Sequence, residues 1–231
     1  MKQCHTELYL ERISIGLSHD INNVFTYILG MAELGKLQEQ GALPHSDCFD
    51  KIISYVDRGR NLTQHVMDFG NSFHCEKEKF SFPEFLNKSK EKLEQNLPNG
   101  NKINLSVSGD VDVVCADRVL LNKLFYYLFE NAIESYAHME QESTPVHCAV
   151  HRINSTELEC VIKDEGIGIS PDKKADLFTP FFTTKKAIQH AGMGLTIAQQ
   201  VVLAHGGEID IHNNVNNIGV TVKFKLPILL D

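Results

Sequence analysis

From Thr6 to Gln40 the chain contains no proline and returns to an apolar residue every three or four positions: Leu10, Ile13, Leu17, Ile21, Val24, Ile28 and Met31. That period winds a single apolar stripe along a helix, close to a coiled-coil seam. Gly41-Ala42-Leu43-Pro44 breaks it, and Ser46 or Asp47 can cap a second helix. From Asp47 to Phe73 the pattern resumes with Ile52, Val56, Gly59, Leu62, Val66, Phe69 and Phe73. Two long helices on a short turn make an antiparallel hairpin. A hairpin alone buries little, so the expectation is that two of them pair into a four-helix bundle, a homodimer.

The pattern changes after Cys75-Glu76-Lys77-Glu78, which places a boundary between residues 1–76 and 77–231. Beyond it a helix is predicted to about Asn96, with a turn at Pro98-Asn99-Gly100-Asn101. Short strands follow at Ile103–Val107 and Val111–Cys115, then a helix capped by Asp117 and running to about Ala137. Strands are expected at Val146–Ile153 and Glu157–Lys163, a helix at about Gly194–Ala204, and a last strand pair at Glu208–His212 and Gly219–Leu226. Helices with a largely antiparallel sheet make an α/β sandwich. The whole reads as an α-helical hairpin followed by an α/β domain.

Composition narrows the function classes. Among 231 residues, 22 Lys and Arg stand against 30 Asp and Glu, a formal net charge of -8. An acidic chain without a Lys/Arg cluster does not suit general binding to nucleic acid or to an anionic membrane. No apolar run approaches the roughly 20 residues that span a bilayer, and Met1-Lys2-Gln3-Cys4-His5-Thr6-Glu7 does not read as a signal peptide. The six cysteines are scattered without a C-x-x-C, which suits reduced thiols and a cytoplasmic location. His147, Cys148 and His151 could be drawn as a metal cluster, but Val146, Cys148 and Val150 alternate as in a half-buried strand. Gly30 to Lys36 spells most of a phosphate-binding loop, yet Leu37 replaces the required Ser or Thr and the segment continues the helical stripe.

Chemistry concentrates in a few short runs. In Ser18-His19-Asp20-Ile21-Asn22-Asn23, a turn of about 100° per residue puts His19 and Asn23 on the face opposite the seam. Asp20 beside His19 can hold the imidazole tautomer and raise its basicity. Asp164-Glu165-Gly166-Ile167-Gly168 follows a predicted strand. A carboxylate at a strand end can accept from an exocyclic amine, and glycines let the backbone approach a flat base. Gly192-Met193-Gly194-Leu195 opens a helix, whose bare N–H groups and positive dipole end suit a phosphate chain. Lys185 and Lys186 add cationic charge just upstream, and Asn131 lies on a helix among apolar positions, where an amide needs a partner.

Together these runs resemble the catalytic core of a bacterial sensor histidine kinase over nearly the whole chain. Such a core has a dimerisation and phosphoacceptor hairpin followed by an ATPase domain of the gyrase, heat-shock chaperone, histidine kinase and MutL type. Ser18 to Asn23 is similar to a phosphoacceptor box of the HDxNN kind, and Glu130-Asn131-Ala132 to the N box. Asp164 to Gly168 is similar to the first glycine box, Phe178 to Lys185 to the F box, and Gly192 to Leu195 to the second glycine box. The resemblance implies that His19 takes the γ-phosphoryl group of ATP while Asp20 orients its ring. It implies that Asn23 positions water for hydrolysis of a phosphorylated response regulator.

In the ATPase domain the resemblance implies that Asn131 coordinates Mg²⁺, that Asp164 recognises adenine, and that Gly166 and Gly168 shape that pocket. Lys185 and the stretch to Ala191 would form a lid, while Gly192, Gly194 and Leu195 would meet the phosphates. Implied partners are a response regulator receiver domain, a second copy of the chain and a separate sensor or input protein. Tyr127 departs from the pattern, because the family commonly carries a polar residue there that helps hold Mg²⁺, and a phenol is a poor ligand for a hard cation. The alternative is a histidine phosphotransferase or regulator phosphatase with weak ATP turnover.

Overall fold

The structure, a computed structural model, describes residues 2–39, 47–72, 74–95, 103–108, 111–136, 146–184, 191–215 and 218–227. It divides into two compact units, Met1–Asp68 with Thr179–Met193 and Phe69–Phe178 with Gly194–Asp231. The expected helices are present as α1 (Lys2–Glu39) and α2 (Cys48–Asn71). The break at residues 41–44 and the turn at 98–101 lie outside the described residues.

In the first unit α1 and α2 meet along Val24 and Leu62, both buried. They approach closely at Gly59, where a Cβ would stand 3.4 Å from Val24 Cγ1. Tyr27 of α1 stacks on Tyr55 of α2, with ring centres 4.6 Å apart and planes 3° from parallel. Two helices cover only one side of each other. The stripe position Val56 is therefore exposed, together with Phe25, Leu29, Phe49, Ile53 and Met67 outside the stripe. Gly30 to Lys36 is helical throughout, inside α1.

The second unit is the α/β sandwich. Its elements are β1 (Glu78–Ser81), α3 (Phe82–Gln95), β2 (Ile103–Ser108), β3 (Val113–Ala116), α4 (Arg118–Glu134), β4 (Val146–Arg152), β5 (Glu157–Lys163), α5 (Gly194–Ala204), β6 (Glu208–Asn213) and β7 (Val220–Pro227). The main sheet runs β2-β4-β5-β7-β6, and β1 pairs with β3 in a separate two-stranded sheet. The short strands expected on either side of residues 109–110 thus belong to different sheets, and β1 was not anticipated. β2 pairs parallel with β4, while β4–β5, β5–β7 and β6–β7 are antiparallel. The parallel pair needs a long crossover, supplied by β3 and α4.

Alternation decides which sheet face is covered. Val146, Cys148 and Val150 of β4, Leu158, Cys160 and Ile162 of β5, and Val222, Phe224 and Leu226 of β7 are all buried. They pack with Phe82, Leu121, Leu124, Phe125, Leu128 and Ile197 from α3, α4 and α5. His147 is exposed and His151 part-exposed, and His151 pairs with Glu159 at 3.0 Å, which fits a half-buried strand. Among the described residues, Cys48, Cys75, Cys115, Cys148 and Cys160 form no disulfide. No described helix is long and apolar enough to cross a membrane.

Candidate nucleotide and phosphoacceptor sites

The first glycine box sits where β5 ends. Asp164 is 4% exposed, and its Oδ1 accepts N–H bonds from Gly166 at 2.9 Å and Val220 at 3.1 Å. Ser135 Oγ lies 3.2 Å from the same oxygen. The backbone of Asp164 is fixed as well: its N–H donates to Val220 O at 3.0 Å, and its carbonyl accepts from Asn214 Nδ2 at 2.8 Å. Asn213 grips Ile169 through both its N–H and its C=O, at 2.7 Å each. The carboxylate is thereby presented on a rigid frame.

Two glycines make that frame possible. A Cβ at Gly166 would fall 1.9 Å from Ser135 Oγ and 2.4 Å from Ser135 Cβ. At Gly219, with φ +78°, a Cβ would fall 2.1 Å from the Asp164 carbonyl oxygen. Gly168 also has a positive φ, of 74°. Gly219, Ser135, Asn213 and Asn214 are supports that the sequence reading missed. The run His212 to Gly219, rich in asparagine and closed by glycine, was the available signal of a specialised turn.

The N box rides on α4, a helix buried on most sides, with Asp117 as its N-cap accepting from Leu120 N. Asn131 is half-buried near the end of that helix, and its carbonyl accepts the N–H of Ser135 at 3.1 Å. Ser135 therefore links the N box to Asp164. Gly194 opens α5 directly over this region: a Cβ there would lie 3.3 Å from Tyr127 Cδ1 and 3.6 Å from Asn131 Nδ2. Leu195 follows half-buried in the first turn of α5, and Thr196 Oγ1 donates to Phe178 O at 3.0 Å, tying the F box to the helix start. Tyr126 Oη donates to Glu130 Oε1 at 2.9 Å, and burial followed by the Glu130 charge holds the phenol well above its usual pKa.

A phosphate chain fits these donors. The N-terminus of an 11-residue helix carries no acidic side chain in its first turn, and at Gly194 no side chain separates the helix start from Tyr127 and Asn131. Mg²⁺ bound with nucleotide needs only one or two protein oxygens beside phosphate and water, and the side-chain carbonyl of Asn131 could supply one. Tyr127 is 3% exposed and turns its ring edge toward Gly194, so it contributes packing at that position.

In the first unit His19 is exposed on α1, with its side chain at 72% of full accessibility and Asp20 at 18%. His19 Nδ1 lies 3.2 Å from Asp20 Oδ1 and 3.3 Å from Asn23 Nδ2. An Nδ1–H donated to the carboxylate leaves the lone pair on Nε2. Gly192, with φ +66°, packs against the backbone of Phe181 and Phe182. Lys185 lies outside the described residues. The structure thus joins Asn131 with Gly194, Asp164 with Gly166, and His19 with Asp20 and Asn23.

Comparisons with known proteins agree with this geometry. Residues 116–230 match the family described as "Histidine kinase-, DNA gyrase B-, and HSP90-like ATPase". The sensor protein FixL of Bradyrhizobium diazoefficiens is 33% identical over 134 residues, covering 58% of this chain and 25% of FixL. The signal transduction histidine-protein kinase AtoS of Escherichia coli is 22% identical over 99% of this chain and 36% of AtoS. The chain therefore spans a quarter to about a third of these relatives. Among solved structures, histidine kinase ThkA in complex with response regulator protein TrrA superposes over 99% of this chain and 64% of that one, with a TM-score of 0.77 and 21% identity. The isolated catalytic domain of ThkA superposes over 66% of this chain and 96% of that domain, with a TM-score of 0.57 and 25% identity. Residues 116–230 thus carry an ATPase domain of the histidine kinase-, DNA gyrase B- and HSP90-like kind, and by motif and fold the chain as a whole resembles a histidine kinase catalytic core.

Proposed function

We propose that this core binds ATP with Mg²⁺, phosphorylates its own His19 and passes the phosphoryl group to an aspartate of a response regulator receiver domain. The observation that carries the reading is His19 itself, exposed on α1 with Asp20 against Nδ1. In the transfer, the Nε2 lone pair forms a bond to the γ-phosphorus as the bridging P–O bond breaks and ADP leaves. Asp20 keeps the proton on Nδ1 and stabilises the charge that the ring gains. Phosphoryl transfer of this kind relies on positioning and electrostatic stabilisation.

Residues 1–76 serve as the dimerising phosphoacceptor hairpin and 77–231 as the nucleotide-binding domain. Asp164 takes the adenine amine, with Gly166 and Gly168 shaping that pocket, and Asn131 holds Mg²⁺, which neutralises charge on the phosphates. Gly192, Gly194 and Leu195 meet the phosphates, and Lys185 adds cationic charge for them. Asn23, one helical turn beyond His19, orients water for dephosphorylation of the regulator. The broad apolar face of the hairpin suits a second copy of the chain, and the input signal reaches the core from a sensor protein or segment in the same compartment, the cytoplasm.

Tyr127 favours a second reading, a phosphotransferase or regulator phosphatase with little ATP turnover, because a buried ring stands where an oxygen ligand is expected. Incubation with γ-labelled ATP and Mg²⁺ separates the two. Acid-labile, base-stable label on the chain supports the kinase. An unlabelled chain that accepts phosphate from a phosphorylated regulator favours the second reading.

A further inference from the structure

We propose that His205 is a positioning residue for the nucleotide site, fixing the register of α5 against α4 by accepting the backbone N–H of Asp117. The proposal rests on the nucleotide-binding reading of that site.

His205 lies just beyond the end of α5 and is 3% exposed. Its Nδ1–H donates to Val201 O at 2.8 Å, which leaves Nε2 as an acceptor, and Nε2 receives the N–H of Asp117 at 3.0 Å. Asp117 is itself a junction. Its Oδ1 accepts from Leu120 N at 2.9 Å and caps α4, while its Oδ2 accepts from Glu76 N at 2.9 Å. One His–Asp contact thus fastens the end of α5, the start of α4 and the segment that follows α2.

The two helices run in opposite directions, and the site is at their other ends. There Gly194 at the start of α5 stands over Tyr127 and Asn131 of α4. Asn131 follows Asp117 along α4 by about 21 Å at 1.5 Å per residue. A helix transmits an axial slip along its length, and a displacement of about 1 Å can cost a reaction on the order of a hundredfold. The anchor at His205 therefore sets the offset between Asn131 and the first-turn amides of α5.

The neutral imidazole is essential to this bond, since a protonated Nε2 would point a hydrogen at the Asp117 N–H. Burial pushes the pKa of His205 down, the bond to Val201 opposes this, the Lys77 ammonium lowers it further and the Asp117 carboxylate raises it. The thiols of Cys75 and Cys115 lie beside Asp117 in the same neighbourhood. Because the native value is depressed, the unfolded chain binds the proton more readily. The contact is complete above about pH 6.5 and is lost as pH falls through the native value.

The test measures binding of a fluorescent ATP analogue to the full chain from pH 8 to pH 5 in the wild type, His205→Gln and His205→Leu. Glutamine can accept the Asp117 N–H without titrating, and leucine cannot accept it. At pH 7.5 the expected result is near-wild-type affinity for His205→Gln and about tenfold weaker binding for His205→Leu. As pH falls through the lowered native value of His205, the wild type should weaken more steeply than His205→Gln. Wild-type binding by a folded His205→Leu chain at pH 7.5 overturns the proposal. Hydrogen exchange in the nucleotide-free protein gives a readout independent of ligand. Amides of Thr196 to Ala198 should exchange faster in His205→Leu than in His205→Gln, and equal rates overturn the anchor. A wild type that binds no nucleotide would refute the nucleotide reading, while the exchange comparison would still decide the anchor.

Discussion

On the proposed function, replacing His19 with glutamine is expected to abolish label transfer from γ-labelled ATP to the chain, a loss of about a thousandfold or more, because an amide offers no nucleophilic nitrogen. The side chain is 72% accessible and, among the described residues, meets Asp20 and Asn23, so folding stability should shift by no more than about 0.5 kcal/mol. Nucleotide affinity should also be unchanged, since the glycine boxes and Asn131 are intact. Quantifying acid-labile label beside a urea melt and a nucleotide titration checks all three points. Label retained by His19→Gln would place the phosphoacceptor elsewhere.

Gly219→Ala is expected to be a strongly damaging substitution in the second unit. The added Cβ would meet the Asp164 carbonyl at 2.1 Å and the Glu165 Cα at 2.5 Å, both backbone atoms that cannot swing aside. The φ of +78° adds strain for any residue with a Cβ. A destabilisation of about 3 kcal/mol or more follows from backbone strain and displacement together. The turn can yield only by moving Asp164, so nucleotide binding should fall even where the variant stays folded. Urea unfolding and nucleotide titration measure the two effects, and an unchanged urea midpoint would contradict the packing described.

Much of the fold was legible because it rests on local signals. Asp117 announces the start of α4, the stripe from Leu10 to Met31 announces α1, and alternation in β4 separates Cys148 from His147. The assignment of β2 and β3 to different sheets was not legible. Both are short, and only partners distant in the chain decide between them. The candidate site divides in the same way. Asp164, Asn131 and the glycines are residue types with few other uses at those positions, whereas Ser135 and Val220 look ordinary in sequence. They acquire meaning only when folding brings them to Asp164 across 29 and 56 residues.

The uneven burial of the two units has a thermodynamic consequence. The sandwich encloses its own core around Phe82, Phe125 and Phe224, while among the described residues the hairpin helices bury only Val24, Cys48, Leu62 and Phe69 of their apolar side chains. If a second copy covers the exposed face of the hairpin, as proposed, the hairpin's stability obeys mass action. Dilution should then lower the melting temperature of the hairpin and leave that of the sandwich in place. Calorimetry over a hundredfold range of protein concentration should resolve two transitions, only one of which moves. Two fixed transitions would mean that the hairpin holds together without a partner.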